Sequence, residues 1–203
     1  MSLRNVKSSL GSISKSLSAA QDSREYLIKN TREVVNLCSQ AIINIHKGEQ
    51  KTAKSQIKKA QILLKSFKRK ANGKFQQYLL IPEQELVEAI TLLAIVEKKI
   101  IPDHKTISVS DESYVLGLLD CIGELKRRVF DSIRVGNSKE AVRIFELMEN
   151  LYLYLYPFST YDKIVKEARR KLDVNRVLVE DVRAALTEEI RRADLINAIK
   201  KIK

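Results

Sequence analysis

Turn-forming residues are nearly absent from this chain: its 203 residues include six Gly and three Pro. Tight turns draw on Gly for left-handed backbone and on Pro for a fixed φ, and sheets, dinucleotide folds and phosphate loops need many of both. A chain so poor in them is expected to be all-α, with long helices and short connections. Its length suits one domain over residues 1–203, with residues 1–22 as an amphipathic helical extension. No apolar run approaches the roughly 18 residues of a membrane span.

Apolar spacing supplies the elements. Leu3, Val6, Leu10, Ile13, Leu17 and Ala20 recur every three or four residues, and Tyr26, Leu27, Val34, Leu37, Cys38, Ala41, Ile42 and Ile45 carry the period on to His46, where Gly48 ends it. The Ser-rich start, with no acid before Asp22, resembles a targeting presequence, but its periodicity predicts a retained helix. A second helix has the seam Ala53, Ile57, Ala60, Leu64 and Phe67, and Asn72-Gly73 breaks it. A third starts at Pro82 and runs to about Ile100, with Tyr78 to Ile81 able to extend it backward. Ser110 is placed to cap a fourth that reaches Val135. A fifth ends before Pro157, Ser159 or Thr160 can cap a sixth, and the last begins near Asp173. About seven helices in an antiparallel bundle are expected. The alternating run Tyr152 to Tyr156 is expected to pack in a core or subunit interface.

Charge narrows the partners. Lys and Arg number 37 against 25 Asp and Glu, a net of +12. Residues 1–70 carry +11 of this and residues 71–203 only +1. Between Glu49 and Glu83 there is no acid, and that gap holds Lys51, Lys54, Lys58, Lys59, Lys65, Lys68, Arg69, Lys70 and Lys74. A solvated helix face usually mixes signs. A face of one sign points to nucleic acid, bound through its phosphates. A scaffold on a membrane surface or an acidic protein is a weaker alternative.

Most routes to catalysis are excluded. Cys38 and Cys121 cannot build a disulfide framework or a Cys-ligated zinc site, and suit a reducing, cytoplasmic setting. His46 and His104 stand isolated at loop edges, and no nucleophile elbow or phosphate-binding glycine pattern occurs. Carboxylates remain. Glu85 and Glu88 are three apart, Asp120 and Glu124 four apart, so each pair shares a helix face. Such pairs are common on solvated helices. If the two faces meet, however, four acids repel, and a hard divalent cation, Mg²⁺ or Mn²⁺, would relieve them.

Four segments carry a resemblance. Tyr114-Val-Leu-Gly-Leu-Leu-Asp-Cys-Ile-Gly-Glu-Leu-Lys-Arg127 resembles the central segment of the factor X branch of the translin family. Gln84-Glu85-Leu-Val-Glu88-Ala89, Arg169-Arg-Lys-Leu-Asp173 and the Arg24-Glu25…Lys29…Arg32 pattern resemble further family elements, in the same order. The resemblance implies a seven-helix, α-superhelical or bundle subunit, assembled into closed shells such as an octamer that bind single-stranded RNA or DNA. For the factor X branch it implies Mg²⁺-dependent endoribonuclease activity, with Glu85, Glu88, Asp120 and Glu124 as catalytic and metal-binding residues. Asp120 stands where translin itself has an apolar residue. Arg127 joins the basic segment as a nucleic-acid contact. The short Ile101–Ser110 connection, where that branch has a long insert, suggests a homo-oligomer, with a mixed assembly including a second family subunit as the other arrangement. The expectation is therefore a metal-dependent endoribonuclease. The alternative is a non-catalytic, single-stranded nucleic-acid-binding assembly protein whose acids serve as a structural metal or salt-bridge site.

Overall fold

The computed structural model describes residues 3–202, so Met1, Ser2 and Lys203, the ends of the expected domain and its extension, lie outside the described residues. Seven α-helices follow one another, and no strand occurs among the described residues. They are α1 (Arg4–Lys47), α2 (Gln50–Ala71), α3 (Leu80–Val96), α4 (His104–Ile107), α5 (Asp111–Arg134), α6 (Ser138–Leu155) and α7 (Ala168–Ile202). Short 3₁₀ turns cover Gln76–Tyr78 and Tyr156–Tyr161. No described helix is long and apolar enough to cross a membrane.

From Leu27 onward the expected apolar seams are buried, Leu37 only partly, while Tyr26 before it is exposed. Leu27, Thr31, Val34, Cys38, Ala41 and Ile45 line the inner face of α1, and Ala53, Ile57, Ala60, Leu64 and Phe67 that of α2. Gly48, at φ 83°, closes α1; its N–H reaches Ile45 O, and Glu49 N–H reaches Asn44 O at 2.8 Å. The first part of α1 projects its stripe outward, with Leu3, Leu10 and Leu17 exposed. α3 is apolar nearly all round and packs against α1, α2 and α5, as a central helix must. α5 packs on α3, α6 and α7 in turn. Ser110 caps α5, its Oγ accepting the Ser113 N–H.

Three boundaries differ from expectation. α3 stops at Val96, because Lys98 turns to φ 57° and Ile100 stands exposed. Pro82 lies in its first turn, where no N–H is missed. The connection that follows contains the one-turn α4, with the Asp103 carboxylate accepting Thr106 N–H at 2.8 Å. The sixth helix expected from Ser159 or Thr160 does not form. The chain makes a 3₁₀ turn around Pro157, and α7 begins at Ala168, well before Asp173. Asp162 supplies the capping oxygen by accepting Arg169 N–H at 3.0 Å. Of the tyrosine run, Leu155 is buried and Tyr152 half-buried, while Tyr154 and Tyr156 are exposed.

Candidate functional site

A glycine sets the distance between the two acid-bearing helices. A Cβ on Gly117 of α5 would lie 2.5 Å from the Gln84 carbonyl oxygen and 2.7 Å from the Val87 Cβ of α3. No real side chain tolerates that, so only Gly allows the contact. Gln84 and Val87 are the neighbours of Glu85 and Glu88, and Asp120 follows Gly117 by one turn. The close approach therefore carries both acid pairs toward one another.

Their electrostatics report the crowding. Glu88 is buried, at 9% exposure, and its carboxyl is pushed up from 4.5 to about 8. Burial is the main cause, followed by the charges of Asp120, Glu85 and Glu124, with Lys171 opposing. Half-buried Glu85 is raised too, by burial and then by Asp120, against the pull of Lys171 and a hydrogen bond from Ser39. The two acids of α5 also have cationic or polar partners. Asp120 accepts hydrogen bonds from the Gln84 side-chain amide and the Lys171 ammonium. Glu124 lies 2.5 Å from His46 Nε2. Cys38 and Cys121 are both buried close by. Burial, helped by the acids, pushes the Cys38 thiol up to about 12 and the Cys121 thiol upward as well. Both stay protonated and serve as small apolar groups.

Among the described residues, no three His, Cys, Asp or Glu side chains converge closely enough to hold a metal ion. The expected ligand set is gathered into one electrostatic field but is not arranged as a coordination sphere. In donor type and charge the residues fit a hard cation: the ligands are all carboxylate oxygens, and a cation, the Lys171 ammonium, already lies against Asp120. Coordination by Asp120 requires it to turn from Lys171, whereas Glu124 meets His46 through Oε2 alone. A cavity of about 250 Å³ beside Asp120, lined by Gly123, Arg170, Lys171 and Asn175, gives space for this. A larger cleft of about 860 Å³, between the end of α6 and the start of α7, is lined by Tyr152, Tyr156, Arg169 and Arg176 and includes none of the four acids.

Sequence reasoning missed the residues around the acids. His46, read as an isolated loop-edge histidine, is instead turned inward, its side chain 3% exposed and bonded to Glu124. Gln84 and Lys171 belong to segments that carried the resemblance, yet nothing in their spacing assigned them a partner. His104 opens α4 and lies 3.5 Å from Asp111, midway along the chain between Glu88 and Asp120.

The basic segment divides. Lys51, Lys58, Lys59, Lys65, Arg69 and Lys74 are exposed, as is Arg127 on α5. Lys68 is turned to an internal partner, for its ammonium lies 2.7 Å from the buried Glu83 carboxylate and donates to Ser108 O. Glu83 in turn accepts from Ser110 N–H and Oγ, both at 2.9 Å, so this set ties α2 to the α3–α5 corner. Lys54 pairs with Glu97 at 2.5 Å, and Lys70 stacks over the Tyr26 ring, 4.5 Å from its centre.

Comparison with known proteins agrees with this architecture. The Translin family model matches residues 73–187, the stretch from the end of α2 into α7 that holds all four acids. An uncharacterized protein of Methanocaldococcus jannaschii is 34% identical over 182 residues, which is 88% of this chain and 82% of that protein. AfC3PO, solved by itself and in complex with duplex RNA, superposes with a TM-score of 0.82 at 31% identity, covering 90% of this chain and 97% of its own. Apo-NeC3PO shares the fold, with a TM-score of 0.79 at 21% identity over 89% of this chain and 96% of its own. The chain is a member of the translin family.

Proposed function

We propose that this chain is a metal-dependent endoribonuclease of the factor X type, which binds and cleaves single-stranded RNA within a multimeric shell. The observation that carries the reading is the buried Glu88 carboxyl, raised to about 8 among three further acids. A cluster that resists ionisation this strongly is stabilised by added positive charge. Glu85, Glu88, Asp120 and Glu124 would hold Mg²⁺ or Mn²⁺ through oxygen. Such an ion, when bound, polarises a phosphodiester and lowers the pKa of a water.

The chain's own residues supply the remaining work. Lys171, released from Asp120, becomes a cation available to a phosphate. Glu124 or Glu88, whichever is not engaged as a ligand, accepts the proton of the attacking water. The exposed lysines of α2 attract phosphates by charge without reading bases. AfC3PO has been solved with duplex RNA, so both strandedness classes belong in the assay.

A second reading is favoured by the pairs already made. Lys171 with Asp120 and His46 with Glu124 would suit a salt-bridged site in a non-catalytic nucleic-acid-binding assembly. Incubation of the pure protein with labelled single-stranded and duplex RNA separates the two. The catalytic reading expects cleavage with Mg²⁺ or Mn²⁺ that chelator abolishes. Asp120→Asn removes a charge while keeping shape, and is expected to lower cleavage at least roughly a hundredfold while leaving RNA binding intact. Glu112→Gln on the first turn of α5 is the control. Activity retained in Asp120→Asn removes the proposed site. RNA bound but never cut, alone or with a second family subunit, selects the binding reading.

A further inference from the structure

The four acids come from α3 and α5, but one of them is held from a third helix. His46 lies in the last turn of α1, next to the Gly48 cap, yet its ring is 3% exposed. Nε2 lies 2.5 Å from Glu124 Oε2. Nδ1 faces Asp131 at 3.9 Å, beyond hydrogen-bond range, and is buried without a partner. Glu124 and Asp131 are two turns apart on one face of α5, so the ring fills the space between two carboxylates.

Packing alone does not explain this choice. An imidazole with one buried nitrogen unsatisfied is less stable there than an apolar side chain of similar size. The residue is favoured only through what Nε2 does. Glu124 has a quarter of its side chain in solvent, so packing alone does not fix its carboxylate. A bond from Nε2–H to one carboxylate oxygen selects one rotamer and leaves the other oxygen free for the cluster.

We propose that His46 is a positioning residue of the acidic site, orienting Glu124 for the cation through its Nε2–H. This rests on the reading of the four acids as a cation site. Groups that orient a ligand in this way commonly change metal affinity or activity about 10- to 100-fold when removed.

The test uses Mn²⁺ alone as probe, titrated calorimetrically into the full-length, chelator-stripped protein, with RNA binding in chelator and thermal melting as companions. His46→Leu is expected to weaken Mn²⁺ binding about 10- to 100-fold and to raise the Mn²⁺ needed for half-maximal cleavage, with RNA binding in chelator unchanged. His46→Gln is expected to recover most of the affinity, because its amide N–H reaches the position of Nε2. Parent-like Mn²⁺ affinity in a folded His46→Leu protein overturns the proposal, as does a folded His46→Gln no better than His46→Leu. If His46→Leu does not fold, His46→Asn and His46→Gln decide: both are polar, only Gln reaches Glu124, and equal Mn²⁺ affinity in the two overturns it. A parent protein that binds no Mn²⁺ overturns the cation reading and this proposal with it, an outcome distinct from a parent that binds and variants that do not differ.

Discussion

At Glu88, burial and like charge act in the same direction, and the consequence is a stability that depends on pH. The ordinary carboxyl value is 4.5 and the folded value about 8. Between these the folded chain keeps a proton that the unfolded chain has lost. The stability contributed by protonated Glu88 is thus fully present below pH 4.5 and is lost as pH rises through about 8. Glu88→Gln imitates the protonated form. It is expected to match the parent in urea unfolding at about pH 4 and to exceed it at about pH 9 by a few kcal/mol, since each of the several pKa units between 4.5 and about 8 is worth about 1.4 kcal/mol. Mn²⁺ should narrow that gap by stabilising the parent, and identical unfolding curves at the higher pH would show that the Glu88 carboxyl is not crowded. The four acids were legible in the sequence as two spaced pairs and through the family resemblance. Their partners were not. His46 and Lys171 reach the acids from α1 and α7, and which way a side chain points from a helix end depends on packing that spacing does not encode. Lys68 shows the reverse case: it reads as one more lysine in a basic run, and only the buried Glu83 opposite reveals its internal role.

Among the elements, α3 and α5 determine whether there is a site, and Gly117 determines how they meet. Gly117→Ala places a methyl group against backbone and Val87, an overpacked arrangement expected to cost about 1–3 kcal/mol or more. Because relief requires the helices to separate, cleavage and Mn²⁺ affinity should fall together with stability. Gly123, on the same helix with nothing within 4 Å of its would-be Cβ, is the control: Gly123→Ala is expected to be neutral or to add up to about 1 kcal/mol through helix propensity. Equal melting temperatures for the two variants would dismiss the close approach. Periodicity made the α2 seam and the Ser110 cap readable, since both are local signals. It failed between Pro157 and Asp173. There the cap of α7 is Asp162, which bonds Arg169 N–H across a turn of seven residues, so the serine and threonine that looked like helix starts are left in a 3₁₀ turn.

At the scale of the whole molecule, two surfaces stand out among the described residues, one charged and one apolar. The charged one is the outer face of α2. Reversing Lys58, Lys59, Lys65 and Arg69 to Glu is expected to weaken RNA binding for all sequences alike and to flatten its dependence on salt by about 0.7 logarithmic units for each phosphate no longer neutralised. Lys68 is spared, because a carboxylate there would oppose Glu83. Unchanged affinity at equal ionic strength would reduce this face to solvated charge. The apolar surface is the projecting half of α1, where Leu3, Val6, Leu10, Ile13 and Leu17 are 50–72% exposed on one helix. Near the end of α7, Leu195, Ile196 and Ile199 are exposed as well. Isolated exposed residues are ordinary, but stripes at helical spacing mark association surfaces. A helix that leaves the body of the bundle gains little from its own chain, so a neighbouring subunit would be what stabilises it. Light scattering at micromolar concentration is therefore expected to give a multiple of the 23.2 kDa chain mass. Leu10→Glu with Leu17→Glu should lower that mass while helical content stays near the parent's. If assembly also concentrates several α2 faces on one RNA, the same double variant should lose affinity beyond what its two added negative charges explain, since linked weak contacts act together. A parent that remains monomeric with its helices intact would leave the α1 stripe without a partner of its own kind and would remove the shell from the proposed function, while the α3–α5 site could still be tested in the single chain.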